Sequence, residues 1–354
     1  MASDLMEIAF VIPTSGTSGI YGPSCKASGR LAVSEINAAG GILGREVGLV
    51  AVDGGRAPHS VAAEVGALVE TGRVQAVAGW HNSAVRQAVA ARVAGRVPYV
   101  YTAVYEGGEH SPGVYLTGET PGYQLLPAMH WMARELGVRR WAVVGNDYVW
   151  PRTSARAARR FAHIVGAEIV HEEFVPMGTE EYGPMLRRVE RARVQGVLMF
   201  LLGSDAVRFN RSFTQMLLPE RCLRLSPLMD ENMLLATGAA NAHELYSAAG
   251  FFEALGTQYS LDFESRYIEQ MGPTAPAITS PGESCFEGLT LLARLTTTAR
   301  SVEVAAINAV ADSVAYEGPR GSVRVRNRHL EQRIYLARAD GLEFDVLAEI
   351  HSGG

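Results

Sequence analysis

The chain has 354 residues, which predicts about two or three domains of ordinary size. Charged residues make up 19% and hydrophobic residues 47% of the sequence, a composition that supports folded cores and excludes global disorder. The net charge is −5 and Lys26 is the only lysine, so the sequence argues against nucleic-acid binding and excludes a Walker-type loop, which needs Gly-Lys-Ser/Thr.

The first third of the chain alternates short apolar runs with helical patterns. The predicted strands are 5–12, 47–52, 74–78 and 98–102. The helices predicted between them are 26–39, 61–70 and 84–94. Parallel strands need crossover connections, which these helices supply. We therefore predict a parallel sheet with helices on both faces.

The alternation restarts after a short predicted strand at 114–116. Further helices are predicted at 123–136, 154–165, 181–193 and 206–217. Further strands are predicted at 141–144, 168–170, 196–201, 223–225 and 245–249. Two strong helices, 259–270 and 283–299, come next, and residues 322–325, 332–338 and 344–350 alternate like antiparallel β structure. The pattern indicates that a second sheet is built after the first.

The fold class predicted from this pattern is α/β, with two doubly wound parallel-sheet lobes and a ligand cleft between them. Residues 1–118 plus 250–315 are assigned to lobe 1. Residues 119–249 plus 316–354 are assigned to lobe 2. In such folds the candidate ligand-binding residues are those that follow each strand.

The segment Gly79-Trp80-His81-Asn82-Ser83 follows the third predicted strand. Ser83 fits a helix N-cap, and its hydroxyl with the next main-chain N–H groups also fits an oxygen of a ligand. Capping alone explains Ser83 equally well, and packing explains His81 better than a role as a base. The glycine-rich loop 13–22 lacks the Gly-x-Gly-x-x-Gly spacing of a dinucleotide site, so a flexible cleft-edge loop is favoured there.

Aromatic residues follow strands in both halves of the chain, namely Tyr101, Tyr148 and Trp150. Clefts lined by aromatics and hydroxyls, such as that of Thr102, bind small organic molecules, although ordinary packing explains each residue equally well. For Asp230 and the following Glu231, a helix N-cap and a first-turn acid are favoured over a ligand role.

Several chemistries lack their motifs. No serine lies in Gly-x-Ser-x-Gly, and residues 171–175 lack the second histidine of a zinc protease. Cys25, Cys222 and Cys285 are too widely spaced for a zinc knuckle or a disulfide framework. Neither a metal nor a cofactor is expected.

The N-terminal residues 1–7 are acidic where a signal peptide is basic, which favours a cytoplasmic location. A periplasmic or extracellular lipoprotein whose leader has been removed is the alternative. No apolar run reaches the roughly 18 residues that a membrane span requires.

Four segments together carry a family resemblance: Ser34–Arg45, Gly79–Ser83, Tyr105–Gly107 and Asp147–Arg152. In this order they resemble the type I periplasmic-binding-protein superfamily, and within it the group that binds branched-chain amino acids, amides or urea. The Tyr-Glu-Gly and Asp-Tyr-x-x-Pro-Arg elements are similar to those of cytoplasmic amide receptors and of urea-transporter binding components. The resemblance extends over nearly the whole chain.

The resemblance implies two lobes that are joined by three crossing segments and close on a ligand. It implies ligand hydrogen bonds from Ser83 and Tyr101 and aromatic packing from Tyr148 and Trp150. Trp80, Trp150 and the stretch 227–230 depart from the group's pattern, and the loss of a hydroxyl in that stretch favours a bulkier amide over acetamide or urea. The complete set of candidate ligand-binding residues is Trp80, His81, Ser83, Tyr101, Thr102, Tyr148, Trp150, Met229 and Asp230.

We therefore predict a non-enzymatic cytoplasmic sensor that binds a short amide-like or urea-like ligand. Its expected partner is an antiterminator or another regulator protein of amide or nitrile metabolism genes. The alternative is the solute-binding component of an ABC transporter for amides, urea or branched-chain amino acids, with the permease as partner. A third hypothesis is an enzyme, such as a dehydrogenase. Self-association into a homo-oligomer is left open.

An α-amino acid ligand would require an acidic partner for its ammonium group, whereas a neutral amide would not. Asp230 and Glu231 are the candidates for that partner.

Overall fold

The chain divides into two units, which a computed structural model describes over residues 5–351. Unit 1 consists of the residues up to Ala103 together with Gly108–Gly118 and Gly256–Gln332. Unit 2 consists of Val104–Gly107, Glu119–Leu255 and the residues from Arg333 onward. Each unit contains one sheet flanked by helices, which confirms the predicted α/β class.

The strands of the described residues are β1 (Leu5–Ile12), β2 (Glu46–Asp53), β3 (Ala76–Gly79), β4 (Tyr99–Tyr101), β5 (Val114–Leu116), β6 (Arg140–Asn146), β7 (Glu168–Val175), β8 (Gly196–Phe200), β9 (Leu223–Ser226), β10 (Leu245–Ala249), β11 (Ala315–Gly318), β12 (Gly321–Arg326), β13 (His329–Glu331), β14 (Ile334–Asp340) and β15 (Glu343–Ile350). The helices are α1 (Gly22–Ala38), α2 (Pro58–Glu70), α3 (Ser83–Val93), α4 (Pro121–Glu135), α5 (Val149–Ile164), α6 (Gly183–Arg191), α7 (Gly203–Gln215), α8 (Glu231–Thr237), α9 (Gln258–Met271), α10 (Ser280–Ala299) and α11 (Val304–Val310). None of these helices combines the length and hydrophobicity needed to cross a bilayer.

The sheet of unit 1 has the strand order β11-β12-β13-β5-β4-β3-β1-β2. Strands β1 to β5 are mutually parallel, so their carboxyl ends meet at one edge. The β11–β12 hairpin is antiparallel and reaches this sheet through β13, which pairs with β5. Strands β3 and β4 are completely buried, as expected for strands covered on both faces.

The sheet of unit 2 has the order β15-β14-β10-β9-β8-β6-β7. Strands β6 to β10 are parallel, and β14 and β15 extend the sheet in antiparallel fashion. Every residue of β8 is buried. Both sheets are therefore mixed, with a parallel portion that positions the candidate residues.

The segment Ser34–Arg45 shapes the connection from α1 to β2. The Asn37 side chain bonds both main-chain groups of Val47, accepting from its nitrogen at 2.7 Å and donating to its oxygen at 3.0 Å. Gly41 has a φ of 74°, and a Cβ there would lie 1.9 Å from the Arg45 carbonyl oxygen. This part of the family pattern thus serves the fold.

The predicted lobe boundaries differ from the observed units at residues 104–107, which belong to unit 2 rather than lobe 1, and in the C-terminal third. Residues 316–332 belong to unit 1 rather than lobe 2, because His329 pairs with Leu116 of β5. Residues 250–255 belong to unit 2, where the Phe252 ring packs 5.1 Å from that of Phe344. Strands β11 and β13 and helix α11 were not predicted at all.

We expect Gly29→Ala to destabilise unit 1 by about 1–3 kcal/mol through overpacking. Gly29 lies in α1, and a Cβ there would come within 2.6 Å of the Phe10 ring of β1. Gly122→Ala is the matched control, because Gly122 also lies in a helix but has open space around its Cβ position. Thermal unfolding of the two variants measures the difference; equal melting temperatures would contradict this packing.

Candidate ligand-binding site

In unit 1, the parallel register of β3 and β4 places Gly79 beside Tyr101, so the loops that follow these strands are neighbours. The main-chain nitrogen of Thr102 donates to the Gly79 carbonyl at 3.2 Å and extends the pairing by one residue. Gly79 has a φ of 140°, and a Cβ there would lie 2.2 Å from the Val11 carbonyl oxygen. Only glycine fits where the chain leaves β3, and residues 80–83 start from that point.

Ser83 does not cap α3, so the capping prediction is wrong. The N-cap is Asn82, whose side-chain oxygen accepts a hydrogen bond from the Val85 nitrogen at 3.0 Å. Ser83 is the first residue of the helix, and its hydroxyl is buried without a hydrogen-bond partner among residues 5–351. A buried polar group without a partner costs about 1–3 kcal/mol, which favours a partner supplied by a ligand.

His81 has both ring nitrogens engaged inside unit 1. Nδ1 lies 3.0 Å from the Val11 carbonyl oxygen and donates to it, while Nε2 lies 2.6 Å from the Tyr99 hydroxyl and accepts from it. Burial lowers the pKa of His81 to about 4, with a smaller contribution from the charge of Arg86. The imidazole is therefore neutral near pH 7 and holds the loop in place.

The other unit 1 candidates are also buried and packed within that unit. The Tyr101 hydroxyl donates to the His81 carbonyl at 2.8 Å. The Trp80 ring lies 4.4 Å from that of Tyr21. The Thr102 hydroxyl lies 3.8 Å from the Cys285 sulfur of α10, so this side chain faces the helix. Their ligand contacts stay predictions.

In unit 2, Tyr148 and Trp150 follow β6. Trp150 is buried, and its ring meets the Phe200 ring edge-on, with 5.6 Å between the ring centres. The ring centre of the half-buried Tyr148 lies 6.3 Å from that of Trp150. Arg152 pairs with Asp147 at 2.5 Å and lies 4.6 Å over the Phe174 ring. The Asp-Tyr-x-x-Pro-Arg pattern thus closes a turn that presents the two aromatic residues.

Asn146 and Asp205 were missed in the sequence and hold the loops at this edge of unit 2. Asn146 donates to Asp205 at 2.6 Å and accepts from the Leu202 nitrogen at 2.8 Å. The same Asp205 oxygen accepts from the Gly178 nitrogen at 2.9 Å. The only sequence signal was a polar residue that ends the apolar strand β6; their 59-residue separation carried none.

Asp230 and Glu231 follow β9 and are both buried. Asp230 caps α8 by accepting from the Met233 nitrogen at 2.8 Å, which confirms the predicted N-cap. Glu231 accepts from the Glu253 nitrogen at 2.9 Å. Each carboxyl group has a second oxygen that is buried without a partner in the described chain.

Burial raises the pKa of Asp230 to about 7, although the bond from Met233 opposes the shift. Burial, and then the charge of Asp230, raise the pKa of Glu231 well above its usual range. Met229 is buried beside them, and its sulfur lies 3.7 Å from the Asn210 amide nitrogen. Two adjacent acids thus present hydrogen-bonding oxygens at the edge of unit 2.

The residues described form no cluster of three or more His, Cys, Asp or Glu side chains suited to a metal ion. Cys25, Cys222 and Cys285 are buried thiols, and the Cys25 sulfur donates to the Pro281 carbonyl at 3.5 Å.

Two similar α/β units with polar groups at the carboxyl edges of their parallel strands define a class of binding proteins. Residues 6–343 match the family described as "Periplasmic binding protein", and the chain belongs to that family. This confirms the resemblance found in the sequence.

Among curated proteins, the chain is 25% identical over 242 residues to "Leu/Ile/Val-binding protein homolog 6" of Brucella melitensis. That alignment covers 65% of this chain and 61% of the relative, less than two thirds of its length.

Solved structures share the fold over nearly the whole chain. The isoleucine-bound branched-chain amino acid transporter substrate-binding protein LivJ of Streptococcus pneumoniae has a TM-score of 0.85 and 18% identity, covering 98% of this chain and 99% of that one. An ABC transporter substrate-binding protein of Sphaerobacter thermophilus has a TM-score of 0.83 and 24% identity, covering 98% of each chain. A solute-binding protein of Rhodopseudomonas palustris in complex with 3,4-dihydroxybenzoic acid has a TM-score of 0.86 and 18% identity, covering 99% and 98%.

We expect His81 to make stability fall as the pH decreases from about 6.5 to 4, by about 3 kcal/mol in total. The unfolded histidine binds a proton near pH 6.5, whereas the folded one resists protonation until about pH 4, so acid favours unfolding across this window. Asp230 has the opposite effect on stability. Because its pKa is raised in the folded protein, its contribution to the free energy of unfolding decreases as the pH rises.

The measurement is urea unfolding of wild type and His81→Gln at several pH values between 4 and 7. The difference between the two curves isolates His81, and His59→Gln, which changes an exposed histidine, is the control. Identical pH slopes for wild type and His81→Gln would contradict the buried neutral imidazole.

Proposed function

We propose that the chain is a non-enzymatic solute-binding protein of an ABC transporter for a small organic ligand, with candidate ligand groups at the carboxyl edge of each unit. The family and the relatives named as transporter binding proteins support this proposal. They favour the transport alternative over the cytoplasmic sensor that the sequence first suggested. The proposed partner is the permease, and the proposed location is outside the cytoplasmic membrane.

The observation that carries the proposal is a set of buried side-chain oxygens that the described chain leaves unbonded. Several buried oxygens elsewhere in the described chain also lack a partner, but those of Ser83 in unit 1 and of Asp230 and Glu231 in unit 2 lie in segments that follow parallel strands. Buried polar groups are nearly always hydrogen-bonded in folded proteins. We infer that a ligand provides their partners.

These groups indicate the ligand's chemistry. The Ser83 hydroxyl donates to an oxygen, as does the helix end that it opens. The carboxylate form of Asp230 accepts from N–H groups, whereas Glu231, whose pKa is raised well above its usual range, can in its protonated form also donate to an oxygen. A ligand with a carbonyl or carboxylate oxygen suits the groups of unit 1 and one with N–H donors suits those of unit 2; amides, ureas and α-amino acids have both kinds of group.

The aromatic residues of unit 2 suggest an apolar substituent on this ligand. Trp150 and Tyr148 present ring surfaces beside the loop that Asn146 and Asp205 hold. Aromatic faces contribute large apolar contact areas at little conformational cost. A branched or short-chain aliphatic substituent suits such surfaces better than unsubstituted urea does.

The ligands of the structural neighbours transfer to this chain only as candidates. Isoleucine, the ligand named for the pneumococcal protein, has an ammonium group that would donate hydrogen bonds to the Asp230 carboxylate. An aromatic acid, as named for the Rhodopseudomonas protein, offers no N–H group to Asp230 or Glu231. Amino acids and amides are therefore preferred over benzoic acids.

We expect Ser83→Ala to weaken ligand binding about tenfold, the effect of losing one hydrogen bond of about 1.4 kcal/mol. Trp150→Phe, which keeps an aromatic ring in the core, is expected to weaken binding by a smaller factor. Thermal shift against short amides, urea, branched-chain amino acids and nicotinamide cofactors identifies the ligand, and calorimetry gives the affinities.

The controls are Ser265→Ala and Tyr123→Ala, which change exposed side chains on α9 and α4. Unchanged affinity in both site variants would refute the residue assignment. A shift produced only by nicotinamide cofactors would instead support the dehydrogenase hypothesis.

We expect Asp230→Asn to separate the ligand classes. Asparagine preserves the helix cap but cannot form a charge-assisted bond with an ammonium group. Wild-type affinity for an amino acid should rise from pH 6 to pH 8, because Asp230 loses its proton near pH 7, and Asp230→Asn should abolish that rise. Affinity for a neutral amide should change little with pH. An amino acid whose affinity has the same pH dependence in both proteins would exclude Asp230 as its partner.

A further inference from the structure

A buried ion pair lies beside the candidate ligand groups of unit 1. Arg86 Nε donates to Glu109 Oε2 at 3.1 Å, and the two side chains are only 3% and 8% exposed. The second oxygen of Glu109 accepts from the Ser111 nitrogen at 2.8 Å. Neither residue belongs to the candidate ligand-binding set.

The cation of this pair belongs to the same cluster as Ser83. Arg86 follows Ser83 by three residues on α3, and side chains spaced in this way share one face of a helix. Both residues are buried. The Arg86 guanidinium carbon lies 5.3 Å from the centre of the Tyr101 ring. The positive charge of Arg86 therefore acts at the position where the Ser83 hydroxyl would bind an oxygen of the ligand.

Glu109 is ionised and cancels that charge. Burial alone would raise its pKa, but the bonds from Ser111 and the charge of Arg86 outweigh burial and lower the pKa of this carboxyl group. The nearby His81 is neutral near pH 7, so it adds no charge. The cluster thus holds a cation that attracts anions and a carboxylate that offsets it.

We propose that Glu109 determines ligand specificity by neutralising Arg86 beside Ser83, so that this cluster disfavours carboxylates relative to neutral amides. A cation in a desolvated site binds a carboxylate much more strongly than it binds a carbonyl oxygen. The carboxylate of Glu109 occupies that role within the protein. This inference rests on the proposed function and narrows its ligand class.

The test compares butyramide with butyrate, two ligands of nearly equal size that differ in charge. Calorimetry and thermal shift on wild type and Glu109→Gln give the ratio of their affinities. We expect Glu109→Gln to shift this ratio toward butyrate by about tenfold, because Arg86 loses the charge that offsets it. An unchanged ratio in the folded variant overturns the proposal.

A second variant tests the opposite sign. Arg86→Met leaves the charge of Glu109 in place, so the ratio should shift away from butyrate. Circular dichroism and thermal unfolding establish which of the two variants fold. A single folded variant is sufficient for the test. A shift of both variants in the same direction overturns the proposal.

The control is Glu70→Gln, which removes the acid of an exposed ion pair of unit 1, Arg96–Glu70. Exposed pairs are screened by water, so no change in the ratio is expected. A butyrate gain in this variant equal to that in Glu109→Gln overturns the proposal, because any loss of negative charge would then suffice. Wild type that binds no amide or amino acid would contradict the proposed function, whereas a butyrate response gained only in Glu109→Gln would still support the role of Glu109.

Discussion

The parallel pairing of strands is the constraint on which the candidate residues depend. Parallel neighbours must be joined by crossovers, and all their carboxyl ends therefore reach the same edge of a sheet. In unit 1 this brings Ser83 close to Tyr101, and in unit 2 it brings Trp150 and Asp230 to one edge although 80 positions separate them in the sequence. Glycine supports this geometry where the chain leaves a strand, as at Gly79. The chemistry is thus carried by loops, whereas their positions are set by strands.

Hydrogen-bond satisfaction divides the edge residues into two kinds. The side chains of His81 and Asn146 and the side-chain oxygen of the N-cap Asn82 are bonded within their own unit, so these residues hold the loops in shape. Ser83 and Asp230 each leave one buried oxygen without a protein partner among the described residues. A buried oxygen without a partner costs a free energy comparable to that of a hydrogen bond. A protein that contains such an atom is therefore stabilised by a ligand that supplies the missing partner. Under the proposed function, ligand binding and folding stability are therefore linked through these few atoms.

The sequence predicted the α/β alternation because apolar periodicity and terminal glycines are local signals, and the bounds of β1, β5 and β10 were predicted to the residue. It did not predict the division of the C-terminal third, because the pairing of β13 with β5 joins segments more than 200 positions apart. The candidate site was predicted only as a set of positions. Which of Asn82 and Ser83 caps α3 depends on where the helix begins, and both residue types are good caps. Contacts such as Asn146 with Asp205 arise from tertiary structure alone.

The buried titratable groups explain why charge is a better guide to this protein's ligand than its fold. Burial keeps His81 neutral and raises the pKa of Asp230, so the two residues respond to pH with opposite effects on stability. In unit 1 the buried Arg86 is paired with Glu109, whereas in unit 2 the adjacent Asp230 and Glu231 accept hydrogen bonds from main-chain nitrogens. The first cluster is thus close to electrically neutral and the second is neutral or negative, depending on pH. One fold can serve many ligands, so the ligand class depends on individual side chains; under the proposed function, these few charges would discriminate between an ammonium, an amide and a carboxylate.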